Sequence, residues 1–367
     1  MPYYKPLELL DENERIWIVE NLQNLRKQLK KDVPPRTNRS TLLLSTWNLR
    51  EFSNSKNRLE ESFWYIAEII SFFDLVAVQE IGNNMTALQK LMGILGYKYD
   101  YIVTDTPDSQ GGSERIAFIY NTGKVKFKNI AGEVSLTKKD KIKYKLPDGF
   151  ARPPFSVAFQ ASWFKFNLCS VHIYYGTKND TERRENEIKA ITAKINKRVK
   201  DEDATYILLG DFNIENVNDK FHEALVGTKK KPTGFYVPKG EKGKVYFTNS
   251  KNDKTFDQIA INFRNLILKD LKISDLNKEL GKGVVDYYES IFNDENHYKK
   301  VATKMYKEKD YIMPENWQIE NWRTFQMSDH LPLWVELKID FTDEYLETLI
   351  NTKVQKPDVE TEIPKNI

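Results

Sequence analysis

At 367 residues the chain can hold one large domain or two, and 40% hydrophobic against 30% charged residues describe an ordinary globular protein with ample core. A net charge of +3 with a pI near 8.5 is too mild to identify a polyanion binder by itself; only a local field could do that. The single cysteine, Cys169, excludes an internal disulfide, and neither a signal-peptide core nor a membrane-length apolar run is seen, so a cytoplasmic protein without a membrane partner is expected.

Residues 11–31 carry Ile18, Leu22, Leu25 and Leu29 at helical spacing, with Asp11 as N-cap, Glu14 three positions on, and Lys27, Lys30 and Lys31 in the last turn. Pro34-Pro35 ends this helix, which reads as an appendage, residues 1–40, with a solvated basic end. A hydrophobic strand over 41–48 then stops at the amide of Asn48. The helix expected over 58–73 puts Phe63, Ile66, Ile70 and Phe73 on one face, the strand over 75–80 ends in Glu80, and a helix follows over 85–95. Strands are expected over 99–103, 116–120, 155–164 and 167–172, the last ending in His172.

A helix over 181–199, striped with Ile188, Ile191, Ile195 and Val199, delivers the chain to residues 205–213. There the run Tyr206-Ile207-Leu208-Leu209 suits a strand buried on both faces, whereas Gly210-Asp211-Phe212-Asn213 suits a turn. Residues 229–244 read as a lysine-rich surface loop, and 255–261 as a strand bearing Asp257. An insertion over 281–326 has a helix and aromatic-rich turns, including Trp317 and Trp322. The polar turn Ser328-Asp329-His330 feeds a last strand, and 341–367 is a polar tail. The pattern predicts two sheets packed face to face with helices outside, in a main domain spanning 41–340.

The polar groups at strand ends are Asn48, Glu80, His172, Asp211, Asn213, Asp257, Asp329 and His330. Each alone is explained by a turn, a cap or a satisfied core histidine. Eight at the tips of hydrophobic strands are not, because two packed sheets can bring their strand ends to one rim. Hard divalent cations take oxygen ligands, and Mg²⁺ typically takes one or two carboxylates beside water and phosphate oxygens, which singles out Glu80 and Asp329, with Asn48 as a neutral donor. Phosphoryl transfer to water needs an aligned nucleophile and stabilised non-bridging oxygens. Asp211 can orient or deprotonate the water, Asn213 can hold it or donate to the phosphate, and His330 can donate to the phosphate with its tautomer set by Asp257. His172, partnered by Glu114, forms a second imidazole site; His222 and His297 lie in ordinary charged surroundings.

The stretches Thr46-Trp47-Asn48-Leu49-Arg50, Val78-Gln79-Glu80, Ser113-Glu114-Arg115-Ile116-Ala117, Ser170-Val171-His172, Gly210-Asp211-Phe212-Asn213, Phe256-Asp257-Gln258-Ile259 and Ser328-Asp329-His330-Leu331-Pro332 occur in the order found in a known family. In that ordered set the chain resembles the endonuclease/exonuclease/phosphatase superfamily, which includes deoxyribonuclease I. The resemblance implies an α/β fold, a four-layer sandwich of two mixed β-sheets flanked by helices, with a hydrolase site dependent on Mg²⁺, or Mn²⁺ in its stead. It implies Glu80 as metal ligand supported by Asn48 and Asp329, Asp211 and Asn213 on the water and phosphate, and Asp257 with His330 on the phosphate. It also implies His172 with Glu114 as a second pair and Arg115 as a phosphate contact.

Gln258 stands where inositol polyphosphate phosphatases would carry Arg, which argues against that substrate. The first expectation is a nuclease with DNA as substrate; Lys229, Lys230, Lys231, Lys239, Lys242 and Lys244 read equally as contacts to its backbone or as a solvated loop. A phosphatase or phosphodiesterase on a small or lipid phosphoester is the alternative. A binding module that has lost catalysis is disfavoured, since every matched position holds a chemically competent residue.

Overall fold

The computed structural model describes residues 2–106, 114–177, 181–202, 204–263 and 281–351; Ser113 and the expected tail beyond 351 lie outside the described residues. Its eleven described strands, in chain order, are β1 (Thr41–Phe52), β2 (Leu75–Gly82), β3 (Tyr99–Val103), β4 (Glu114–Asn121), β5 (Val125–Glu133), β6 (Phe155–Ala161), β7 (Phe164–His172), β8 (Tyr206–Asp211), β9 (Asp257–Asn262), β10 (Lys282–Val284) and β11 (Leu333–Lys338). They form a six-stranded sheet in the order β10-β11-β1-β2-β4-β3 and a five-stranded sheet in the order β5-β6-β7-β8-β9.

Alternation along each strand divides the apolar residues between two faces. Leu42 and Leu44 of β1 share a buried cluster with Ile207 and Leu209 of β8, which fills the space between the sheets. Leu43 and Trp47 point the other way, into a cluster with α1 (Glu12–Asp32), α2 (Glu60–Ser71) and α3 (Thr86–Leu95). Tyr206 and Leu208 likewise pack outward against Ile188, Ile191 and Ile195 of α5 (Thr181–Glu202), beyond the short α4 (Lys138–Lys143). Burial on both faces is why residues 206–209 are apolar without alternation. The result is the expected sandwich of two mixed sheets between helices.

Strand direction gathers the polar tips. β1 and β2 run parallel, as do β7 and β8, so their ends meet at one edge. β4 and β9 run antiparallel to these pairs and start there, Glu114 opposite Gly82 and Asp257 opposite Asp211, while β11 begins just after His330. Just beneath, Gln79 Nε2 donates to Ser170 Oγ at 2.9 Å, a buried polar tie between the sheets.

Several sequence expectations need correction. The strands expected over 155–164 and 167–172 divide elsewhere: Ala161 pairs with Phe164 around a turn in which Ser162 has a φ of 52°, so 164–166 belong to the second strand. Buried residues on both sides of that turn hid it. β5 went unseen because most of its residues are exposed at a sheet edge, and α4 and α6 (Lys220–Val226) because they are short.

The insertion holds two helices, α7 (Glu295–Glu308) and α8 (Ile319–Gln326), ahead of the terminal α9 (Thr342–Asn351). Trp322, Phe292 and Tyr298 fill its core. The N-terminal helix α1 packs on the domain. Its expected stripe of Ile18, Leu22, Leu25 and Leu29 is buried, Arg26 pairs with the buried Glu68 of α2, and Gln28 Nε2 donates to the Asp286 carbonyl at 2.7 Å.

Candidate active site

At the tip of β1 the register against β2 slips between Asn48 and Phe52, and Arg50 and Glu51 take φ values of 36° and 49°. Glu80 sits at φ 61° where β2 slips against β4. Bulges re-aim side chains. Here Asn48 Nδ2 donates to Glu80 Oε1 at 2.7 Å and to Asp211 Oδ2 at 3.2 Å, and Glu51 N donates to Glu80 Oε2 at 2.9 Å.

Asp211 follows Gly210, whose φ of 128° and position allow no side chain: a Cβ would stand 2.1 Å from the Val171 carbonyl oxygen. Register then sets His172 beside Asp211 and Asp211 beside Asp257 in one row. Asp211 Oδ2 lies 3.6 Å from His330 Nε2 and 3.7 Å from His172 Nε2. Each imidazole has an acid at Nδ1. For His330 it is Asp257 Oδ2 at 2.8 Å; for His172 it is Glu114 Oε2 at 3.0 Å, a contact misaligned for a hydrogen bond. Asn213, at φ 54°, donates from its backbone to Asp211 Oδ1 at 2.9 Å and from its side chain to the Ile173 carbonyl at 2.7 Å.

The Ser-Asp-His turn is tied to β1. Ser328 Oγ donates to the Asn48 carbonyl at 2.6 Å and accepts from His330 N at 3.0 Å, while Trp47 Nε1 donates to the His330 carbonyl at 2.9 Å.

Electrostatics follow from this packing. Burial disfavours a charge on His330, but Asp257 and Asp211 on its two sides outweigh that and raise its pKa well above the ordinary value. Burial also works against a charged His172, and Glu114, Asp211 and Glu80 together still raise its pKa against the opposing Arg152. Burial pushes Glu114 up, yet contact with His172 and the charges of His172 and Arg152 hold it at about 2.

Among the described residues no three His, Cys, Asp or Glu side chains are grouped to hold a metal by themselves. A hard cation such as Mg²⁺ does not need such a group, since it keeps waters and substrate oxygens beside one or two carboxylates. Glu80, an oxygen donor on the open rim beside Asn48, fits that chemistry. Asn48 turns its amino group to the carboxylates, while its Oδ1 accepts from Arg50 N at 2.9 Å. Asp329, with its side chain 46% exposed, lies 3.7 Å from Arg50 Nη1.

The structure thus brings together Asn48, Glu80, His172, Glu114, Asp211, Asn213, Asp257 and His330, with Asp329 joined at the rim through Arg50. Arg115 lines a small pocket with Glu80, Glu114 and His172, its guanidinium held by Nη1 donating to the Gly82 and Asn83 carbonyls at 3.1 and 3.2 Å and Nη2 to Asp105 at 3.2 Å. The turn bearing Lys229, Lys230 and Lys231 sits at the wrong end of the sandwich. It is followed at once by Thr233 and Gly234, which lie by Asn196 and Asn262, at the end of β9 opposite Asp257.

Sequence reasoning missed three arginines. Arg152 Nε donates to Glu114 Oε2 at 2.6 Å, and its loop is fixed by Glu187 accepting from Ala151 N at 2.9 Å. Arg184, buried in α5, donates to the Asn213 carbonyl at 3.0 Å. Arg58 donates to the Gln326 and Met327 carbonyls, both at 2.7 Å, and to the Leu49 carbonyl at 2.5 Å, clasping β1 to α8; burial lowers it to about 10, so it stays cationic near neutrality. In the sequence Arg152 lies in a loop, Arg184 on a charged helix and Arg58 at a helix start, where a solvated charge reads the same.

The fold recurs in solved structures at low identity. An endonuclease/exonuclease/phosphatase family protein from Bacteroides thetaiotaomicron is 18% identical, with a TM-score of 0.51 over 82% of this chain and 98% of that one. A mannosyl-6-phosphatase of the same species is 17% identical, TM-score 0.50, over 81% and 99%. A truncated TDP2 from Caenorhabditis elegans is 11% identical, TM-score 0.51, over 81% and 97%. No curated protein matches the chain. A family model described as "Endonuclease/Exonuclease/phosphatase family" matches residues 45–330, which run from β1 through the Ser-Asp-His turn and so contain the whole polar edge. The chain belongs to that family, whose members hydrolyse phosphoesters and generally use divalent metal ions.

Proposed function

We propose that the chain is a Mg²⁺-dependent phosphodiesterase that cuts nucleic acid, with DNA as the first substrate, by attack of an activated water in line with the leaving oxygen. The observation that carries this reading is Asp211 Oδ2 standing 3.6 and 3.7 Å from the Nε2 atoms of two acid-backed imidazoles. In this reading Asp211 takes the proton of the attacking water, with Asn213 holding the Asp211 loop. The water oxygen forms the new P–O bond as the ester P–O bond breaks. His330, kept protonated by Asp257, donates to a non-bridging phosphate oxygen, and His172 returns a proton to the leaving oxygen. Glu80, held by Asn48 and supported by Asp329 at the rim, would hold the divalent cation, which would supply charge stabilisation on the phosphate.

The diester reading draws support from the His172 and Glu114 pair, which resembles the deoxyribonuclease branch of the family. A phosphatase or phosphodiesterase acting on a small-molecule or lipid phosphoester is the second reading; a mannosyl-6-phosphatase is among the structures that share the fold. Plasmid DNA, single-stranded oligonucleotides and a panel of small phosphoesters, each with Mg²⁺, Mn²⁺ or chelator, separate the two. Cleavage of DNA that chelator abolishes supports the first; turnover of small esters alone overturns it.

A further inference from the structure

A cleft of about 330 Å³ lies between the tip of β1 and the insertion, lined by Arg50, Glu51, Tyr306, Lys309, Tyr311 and Phe325 among others. That volume is at the lower end of the roughly 300–1,000 Å³ typical of small-ligand pockets. Two of its lining residues touch the catalytic rim. Glu51 N donates to Glu80, and Arg50 stands 3.7 Å from Asp329 while its guanidinium covers the Phe325 ring at 3.7 Å.

Most insertion aromatics are buried in its core, but Phe325 and Tyr311 are 47% and 67% exposed here. Among the described residues Lys309 has no ion-pair partner. Exposed rings beside cations are the chemistry that holds a nucleotide, with the base on a ring face and its phosphate on the charges.

We propose that this cleft binds the nucleotide flanking the scissile phosphate of a single strand, the base stacking on Phe325 and Tyr311 and the adjacent phosphate meeting Arg50 and Lys309. This rests on the nuclease reading and adds a specificity site built from the insertion. Stacking accepts any base, so the site selects for a strand with an ordered flanking nucleotide and not for sequence.

The test compares kcat/KM for a single-stranded oligonucleotide with that for bis(p-nitrophenyl) phosphate, which carries neither a base nor a flanking phosphate. Tyr311→Ala and Phe325→Ala, both at exposed positions, are checked for folding by circular dichroism. The ratio of the two activities is expected to fall roughly 10- to 100-fold, the size of one lost base stack. In wild type, an abasic nucleotide walked along the oligonucleotide is expected to depress cleavage at one flanking position, and the variants to be insensitive there. Folded variants that keep the wild-type ratio and abasic profile overturn the subsite alone. A wild-type protein that hydrolyses the small ester and leaves oligonucleotides intact overturns the nuclease reading and the subsite with it.

Discussion

The two acid–imidazole pairs flanking Asp211 both bridge the sheets, yet they are built differently. His330 comes from the turn before β11 and meets Asp257 of β9; His172 of β7 meets Glu114 of β4. The first pair is sealed. Asp257 has no exposed side-chain surface, the contact is 2.8 Å, and the turn is clamped by Ser328, Trp47 and Tyr287. The second is looser, with Glu114 27% exposed, misaligned to His172, and shared with Arg152. A carboxylate that answers to one imidazole fixes its proton. One that also answers to a guanidinium pulls less, and leaves the imidazole free to exchange its proton during a reaction.

Substitutions at the sealed pair are therefore expected to cost more. His330→Ala is expected to lower kcat/KM about 10³-fold, as loss of a charge-stabilising donor does. Asp257→Asn, which leaves the imidazole without its acid, is expected to cost about 100-fold. Combining the two should cost no more than His330→Ala alone, because the acid acts through the ring. Additive losses in that cycle would break the assignment of Asp257 as a positioning residue.

What was legible in the sequence divides along similar lines. Asn48, Glu80, His172 and Asp211 stood out because an apolar run halts at each, and a strand end is a sharp boundary in hydrophobic pattern. Arg152 did not, since residues 151–153 are loop with no periodicity, and its value comes from a partner 38 positions away. The α1 stripe announced a buried face but not what covers it, so the contact with α2 and the insertion was invisible. The lysines at 229–231 show the opposite case: their run reads equally as a polyanion contact or a solvated loop, and only the path of β9 places them at the far end.

At the looser pair, smaller effects are expected. Glu114→Gln should lower kcat/KM about 10-fold, within the range seen when an outer partner of a catalytic imidazole is removed. An effect as large as that of Asp257→Asn would erase the distinction between the pairs.

The same residue leaves a signature on stability that needs no catalysis to be read. Glu114 is held at about 2 in the folded protein against an ordinary value of 4.5, so the unfolded chain binds the extra proton across that interval. Its contribution is therefore present above pH 4.5 and lost as pH falls towards 2, on the order of 3 kcal/mol. His172 runs the other way: its raised pKa gives a contribution complete below 6.5 and lost as pH rises through the folded value. The pair is worth most where both are charged, between about 4.5 and 6.5. Urea unfolding of metal-free protein from pH 2.5 to 6 should show Glu114→Gln less stable than wild type at pH 6 and the gap closing as pH falls. Parallel curves would mean that Arg152 and His172 do not hold the carboxylate, and the looser pair would then be an accident of packing.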